Sequence, residues 1–242
     1  MIKIFPTPKE TVKKFAEELK LLIDKSSSKK KFFYIALSGG STPKLLFKEL
    51  KKNYLESINW QFVHIFWGDE RCVVPESDES NFGVAQKLLL SKIKIPKENI
   101  HRIKGEDKPN TEARRYSGEI MMNVPSKNNM PKFDLIILGL GTDGHTASIF
   151  PNQIKLFDSE NYCDVAVQPK TRQKRITITG KVINNSENIY FLVTGKEKSE
   201  VVAEILNKKG NYKKHPASYV VPTWGNVKWY LDKASSQMIE ST

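Results

Sequence analysis

The apolar positions of this 242-residue chain alternate between two spacings. Val12, Phe15, Ala16, Leu19, Leu22 and Ile23 recur every three or four residues, which predicts an amphipathic helix over 8–24. Thr7 is placed to cap it, and Pro8 can take its first position, where a missing N–H costs nothing. Phe32–Leu37 (FFYIAL) is a short unbroken apolar run and predicts a buried strand. Leu45, Leu46, Phe47 and Leu50 return to helical spacing, with Thr42 as cap and Pro43 as first helical residue. Trp60–Trp67 (WQFVHIFW) alternates and is rich in aromatic and β-branched residues, so it reads as a strand, with His64 on the sheet face or in the core. Helices follow over Ser80–Leu90, capped by Ser80 or Asn81, and from Pro109 to about Met122, with Ile100–Ile103 a short strand between them. Lys127–Pro131 reads as a polar loop. Phe133–Leu138 (FDLIIL) is the most apolar run and predicts a buried strand.

Beyond Pro151 the pattern weakens. Val165–Val167, Arg175–Thr179 and Asn188–Thr194 read as strands, and a helix follows from Lys196 to Leu206. Ala217–Val221 and Asn226–Leu231 are late strand candidates, and Ala234–Ile239 a terminal helical turn. Strand and helix alternate throughout. That order predicts an α/β fold: a doubly wound, mostly parallel sheet with helices on both faces, Rossmann-like in outline. No repeat, linker or break in composition divides the chain, so 1–242 is expected to form a single domain.

The chemistry collects where predicted strands end, which is where open parallel sheets bind ligands. Ser38-Gly39-Gly40-Ser41-Thr42-Pro43 joins a strand to a helix N-terminus. Backbone N–H groups and the positive end of the helix make such a turn a ready anion site, although the same residues also read as a well-capped turn. It lacks the spacing of a Walker loop or a dinucleotide turn. Gly68-Asp69-Glu70-Arg71 places three charges after a core strand. Arg71 could grip a carboxylate or phosphate, or the group could be a solvated turn with an internal Asp–Arg pair. Gly139–Pro151 (GLGTDGHTASIFP) delivers Asp143 and His145 among glycines; Asp143 and Thr146 could equally cap a helix. Lys198 lies in the first turn of a predicted helix, where a cation opposes the dipole.

Composition narrows the classes. Hydrophobic residues make up 39% and aromatics 10%, as in ordinary globular proteins. No apolar run is long enough for a membrane span, and MIKIFPTPKE lacks a signal core, so a cytoplasmic protein is expected. Cys72 and Cys163 lack metal-ligand neighbours, and the four histidines are scattered, so free thiols in a reducing compartment are expected and no metal site. The net charge of +12 comes from lysines spread in pairs and triplets rather than from a basic platform with interleaved aromatics. That distribution reads as a lysine-rich surface rather than a nucleic-acid site.

The strand-end motifs SGGSTP, WGDER, GLGTDGHTASIFP, RITIT and TGKEK, together with SNFGVA, resemble the 6-phosphogluconolactonase family, which is similar in fold to the glucosamine-6-phosphate isomerases and deaminases. The likeness covers nearly the whole chain. It implies a sugar-phosphate isomerase-like fold and hydrolysis of 6-phospho-D-glucono-1,5-lactone in the oxidative pentose phosphate pathway. It implies no cofactor and a small phosphorylated sugar lactone as partner. Active-site residues would fall on Asp69, Arg71, Asp143 and His145, and phosphate binding on Gly39, Gly40, Ser41, Thr42, Arg175 and Lys198. His145 suits general-base work near neutrality. The isomerase pattern carries a glutamate where this chain has Phe150, and an aromatic where it has Arg71, which disfavours proton transfer between aldose and ketose. Whether the chain acts as monomer or homodimer is open at this level.

Overall fold

The computed structural model of the chain describes residues 1–240. Eleven strands are present among the described residues: β1 Ile2–Phe5, β2 Phe33–Leu37, β3 Val63–Trp67, β4 Asp69–Arg71, β5 Ser126–Lys127, β6 Met130–Pro131, β7 Leu135–Leu138, β8 Cys163–Val167, β9 Lys174–Ile178, β10 Asn188–Val193 and β11 Asn226–Asp232. The helices are α1 Pro8–Ser27, α2 Ser41–Asn53, α3 Asn81–Leu88, α4 Pro109–Asn123, α5 Gly180–Asn184, α6 Ser199–Asn207 and α7 Lys233–Ser236, with short 3-10 turns between. No helix among the described residues is long and apolar enough to cross a membrane.

Six strands form a parallel sheet in the order β1-β11-β10-β7-β2-β3. Because successive side chains of a strand point to opposite faces, this sheet has to be covered twice. On one face Tyr190 and Tyr230 meet Phe15 of α1 edge-on, at 6.0 and 4.9 Å. Their chain neighbours Phe191 and Trp229 turn to the other face and stack at 3.9 Å. Helices thus surround the sheet in a doubly wound α/β fold. The chain leaves β2 for β3 on one side and returns through β7 on the other, so the switch point lies between β2 and β7. A crevice opens at the carboxyl ends of strands that diverge in this way.

Several elements depart from their sequence reading. β3 does not stop at Trp67. Through Gly68, whose N–H reaches Leu37 O and whose carbonyl accepts from Ile178, the chain passes into β4 of a second, antiparallel sheet β4-β9-β8. The Arg175–Thr179 segment is therefore a strand, but outside the parallel sheet. Trp60–Phe62 forms a 3-10 turn, so β3 starts only at Val63. Ile100–Ile103 reduces to a single bridge between Ile100 and Ile65. Ala217–Val221 is not a strand, because the Ser218 and Val220 N–H groups bond locally within a 3-10 turn, Pro216–Tyr219. Lys127–Pro131 closes a ribbon, β5–β6, through Asn128 and Asn129, both at positive φ. β1, which had no signal of its own, pairs with β11.

Candidate active site

The loops after β2 and β7 face each other across the switch point. After β2, Gly39 lies so close to Asn81 that a Cβ there would fall 1.8 Å from Asn81 Oδ1. Gly40 takes φ +109°, open to glycine and strained for other residues. This lets α2 begin at Ser41, so Gly40 rather than Thr42 is the cap residue. No side chain caps α2 and its first turn holds no acid, so its positive end is left for an anion. Thr42 lies inside the first turn, and its hydroxyl bonds that of Thr194 at 2.9 Å.

After β7 the chain makes a tight turn, with Gly141 N donating to His145 O at 2.8 Å and Gly144 at φ +79°. A Cβ on Gly141 would fall 2.0 Å from His145 Nδ1. Asp143 Oδ1 accepts from the His145 backbone N–H at 3.1 Å and faces Nδ1 at 2.6 Å. Burial pushes the Asp143 carboxyl up, but the hydrogen bonds and charge of His145 outweigh it and hold it at about 2. A carboxylate only accepts, so Nδ1 carries the hydrogen and Nε2 presents a lone pair. Nε2 has no hydrogen-bond partner among the described residues. The ring lies 4.8 Å from that of Phe150, which is fully buried. Ala147 is held at φ +47°, a left-handed conformation that is unfavourable without glycine.

The small sheet supplies the remaining wall. Asp69 is buried, accepts from Ser148 Oγ at 2.5 Å, and lies 4.0 Å from Arg175 Nη1. Its cation is thus Arg175, not Arg71 as an internal pair would have it. Arg71 and Arg175 are cross-strand partners on β4 and β9, and Arg71 Nη1 donates to Glu79 O at 2.7 Å. The Nε atoms of both arginines are buried without a partner among the described residues. Burial lowers the proton affinity of the Arg175 guanidinium; Asp69 works against that and Arg71 adds to it. Two adjacent cations with unmet donors are costly unless an anion joins them.

Glu70 is no part of this wall. Only 2% exposed, it accepts from the N–H groups of Arg71, Asn81 and Phe82 and from the Ser80 hydroxyl, anchoring the start of α3. The Asp-Glu-Arg stretch is therefore a strand rather than a solvated turn. Lys198 sits on the 3-10 turn Lys196–Lys198, one residue before α6.

The cleft gathers Asp69, Arg71, Gly39, Gly40, Ser41, Thr42, His145, Arg175 and Lys198. Asp143 does not line it; it stands behind His145. Sequence reasoning missed Asn81 and Ser148, which fix Asp69 through contacts 12 and 79 residues apart. Thr146, read from the sequence as a possible helix cap, instead donates its hydroxyl to Gly139 O at 2.9 Å and closes the turn. Asn81 had a signal, the SNFGVA stretch. Ser148 had none, because its role depends on the second sheet. Among the described residues no three His, Cys, Asp or Glu side chains are grouped to hold a metal.

Residues 6–229 match the family described as glucosamine-6-phosphate isomerases/6-phosphogluconolactonase. A 6-phosphogluconolactonase of Haemophilus influenzae is 44% identical over 236 residues, covering 97% of this chain and 98% of that protein. A crystal structure described as devB protein superposes with a TM-score of 0.92 at 42% identity, over 99% of this chain and 100% of the other. The 6-phosphogluconolactonase of Trypanosoma brucei superposes with a TM-score of 0.87 at 30% identity, over 98% and 97%. The chain belongs to the family of glucosamine-6-phosphate isomerases and 6-phosphogluconolactonases.

Proposed function

We propose that the chain hydrolyses 6-phospho-D-glucono-1,5-lactone to 6-phospho-D-gluconate, the lactone-opening step of the oxidative pentose phosphate pathway, with His145 as general base. The observation that carries this is the histidine itself: Asp143 fixes Nδ1, and Nε2 stands unbonded beside a cationic wall. Nε2 takes a proton from water as the oxygen attacks the lactone carbonyl. The oxyanion that forms is stabilised by Arg71 and backbone N–H groups. Collapse breaks the ring C–O bond, and the imidazolium returns the proton to the departing ring oxygen. Asp143 holds the tautomer and the ring plane and stabilises the transient charge. Asp69, fixed by Ser148 and Asn81, holds Arg175 and faces the substrate hydroxyls.

The phosphoryl group lies remote from the reacting carbon, and its binding supplies positioning. Arg175, Lys198 and the α2 N-terminus with Gly39, Gly40, Ser41 and Thr42 receive it. Phe150 weighs against the isomerase reading, since a buried phenyl ring lies against His145 where proton transfer along a sugar chain needs a second acid. The chain acts on this small lactone in the cytoplasm rather than on nucleic acid. Residues 1–242 work as one unit, as monomer or homodimer.

A coupled assay with freshly prepared lactone, corrected for spontaneous hydrolysis, tests the reading against glucosamine 6-phosphate. Turnover of the amino sugar phosphate with none of the lactone overturns it.

A further inference from the structure

A second histidine lies directly beneath the turn that carries His145. His215 Nδ1 faces the Asp143 carbonyl oxygen at 3.2 Å, and its Nε2 faces Glu204 Oε2 of α6 at 2.5 Å. Gly144 rests on the ring, where a Cβ would fall 2.3 Å from Nδ1. Two residues on, Ala217 N donates to Gly144 O at 3.0 Å. The turn therefore docks through two consecutive carbonyls onto the 215–217 segment. A carbonyl oxygen and a carboxylate both only accept, so both ring nitrogens have to donate.

Asp143 is consequently gripped from two sides: its side chain by His145 and its carbonyl by His215. We infer that His215, held by Glu204, is a positioning residue for lactone opening, which sets the Asp143–His145 turn without touching substrate. This rests on the reading of His145 as the base. The same chain of contacts ties the turn to α6, which begins one residue after Lys198, so the base and a phosphate-binding cation share a support.

The test measures kcat and KM on the lactone and the Kd of 6-phosphogluconate for H215L, E204L, E204Q and H145A. Displacement of a base by a fraction of an ångström lowers the chemical step with little effect on binding. H215L and E204L are expected to lose on the order of 10- to 100-fold in kcat, with KM and Kd within about twofold. E204Q is expected to recover most of the E204L loss, because its amide can donate to Nε2 of a neutral ring whose Nδ1–H still reaches Asp143. The H145A/H215L double variant should be no slower than H145A alone. Wild-type kcat in both H215L and E204L, with H145A inactive, overturns the inference and leaves the base in place. So does an equal loss of kcat and product affinity, which marks a general structural defect. Wild-type turnover in H145A overturns the base and this inference together. If H215L does not fold, E204L against E204Q decides the question.

Discussion

Besides His215–Glu204, two histidine–carboxylate pairs stand in different regions among the described residues, and both have a nitrogen–oxygen distance of 2.6 Å. One is His145–Asp143 in the cleft. The other is His101–Glu119, against the edge strand β3. In the second pair every group is used. His101 Nε2 meets His64 Nδ1 at 3.0 Å, Glu119 also accepts from Arg115, and Arg115 donates to Glu112 and to Arg102 O. The His101 ring is buried and stacks on Phe66 at 4.2 Å. In the first pair Nε2 is unengaged, and the two arginines of the neighbouring wall keep unmet donors. The pair alone therefore does not mark a working site. What separates the two is unspent hydrogen-bonding capacity facing a cleft, because satisfied polar networks rigidify a fold while unsatisfied ones are retained at a cost.

The contrast breaks most readily at His145. H145A is expected to lower kcat by about 10²–10⁴-fold while still binding 6-phosphogluconate, as removal of a positioned base does. Steady-state rates and a product-binding titration check this, and near-native turnover would contradict the assignment. Next in size is Arg175. R175M removes a charged hydrogen-bond donor, an interaction of about 1.5–3 kcal/mol, so KM should rise roughly 10- to 150-fold. Stability of the unliganded protein should change little, since relief of a partly buried cation beside Arg71 is offset by leaving buried Asp69 without its partner. A fall in Tm without a change in KM would make Arg175 structural, like Arg115.

The sequence made the satisfied parts of the fold more legible than the unsatisfied ones. Thr7 caps α1 and Ser80 caps α3 as their positions predict, because capping depends on residues two or three apart. β2, β7, β10 and β11 follow from apolar runs that have no other place to go. β4 is only three residues long and gave no period to read. The alternation in β9 showed a strand but not its partner, and that partner puts Arg175 beside Arg71. Asp143 and His145 were legible because they are local. That Asp69 turns to Arg175 depends on a second sheet whose strands β4 and β9 lie about a hundred positions apart. His64 and His101 looked scattered for the same reason.

The network at β3 should respond in the opposite sense to the cleft. H101A removes a buried ring with partners on both nitrogens, so a loss of about 2–4 kcal/mol is expected in denaturant unfolding, with kcat unchanged. A variant of native stability, or one with impaired kcat, would erase the distinction between the regions.

The smallest effect sharpens the distinction through pH. Burial, and next the neighbouring His101, push His64 down from 6.5 to about 4, against a weaker pull from Glu98. The folded protein thus holds His64 neutral at a pH where the unfolded chain protonates it. Between these values the unfolded state binds more protons, so stability rises with pH across the window. The contribution is complete above pH 6.5 and is lost as pH falls towards 4. Because the ring is only half-buried, solvent screening reduces it to about 1–2 kcal/mol. In H64F the ring can keep its contacts with Phe32 and Tyr34 but has no proton to take up. The Tm of the variant should therefore fall less steeply than that of the wild type from pH 6.5 to 4. Asp143, held at about 2, loses its share only below its unfolded value of 3.8, so the two regions titrate in separate windows. Parallel Tm profiles for wild type and H64F would mean that His64 takes up its proton equally in the folded and unfolded states and is not held neutral by this network.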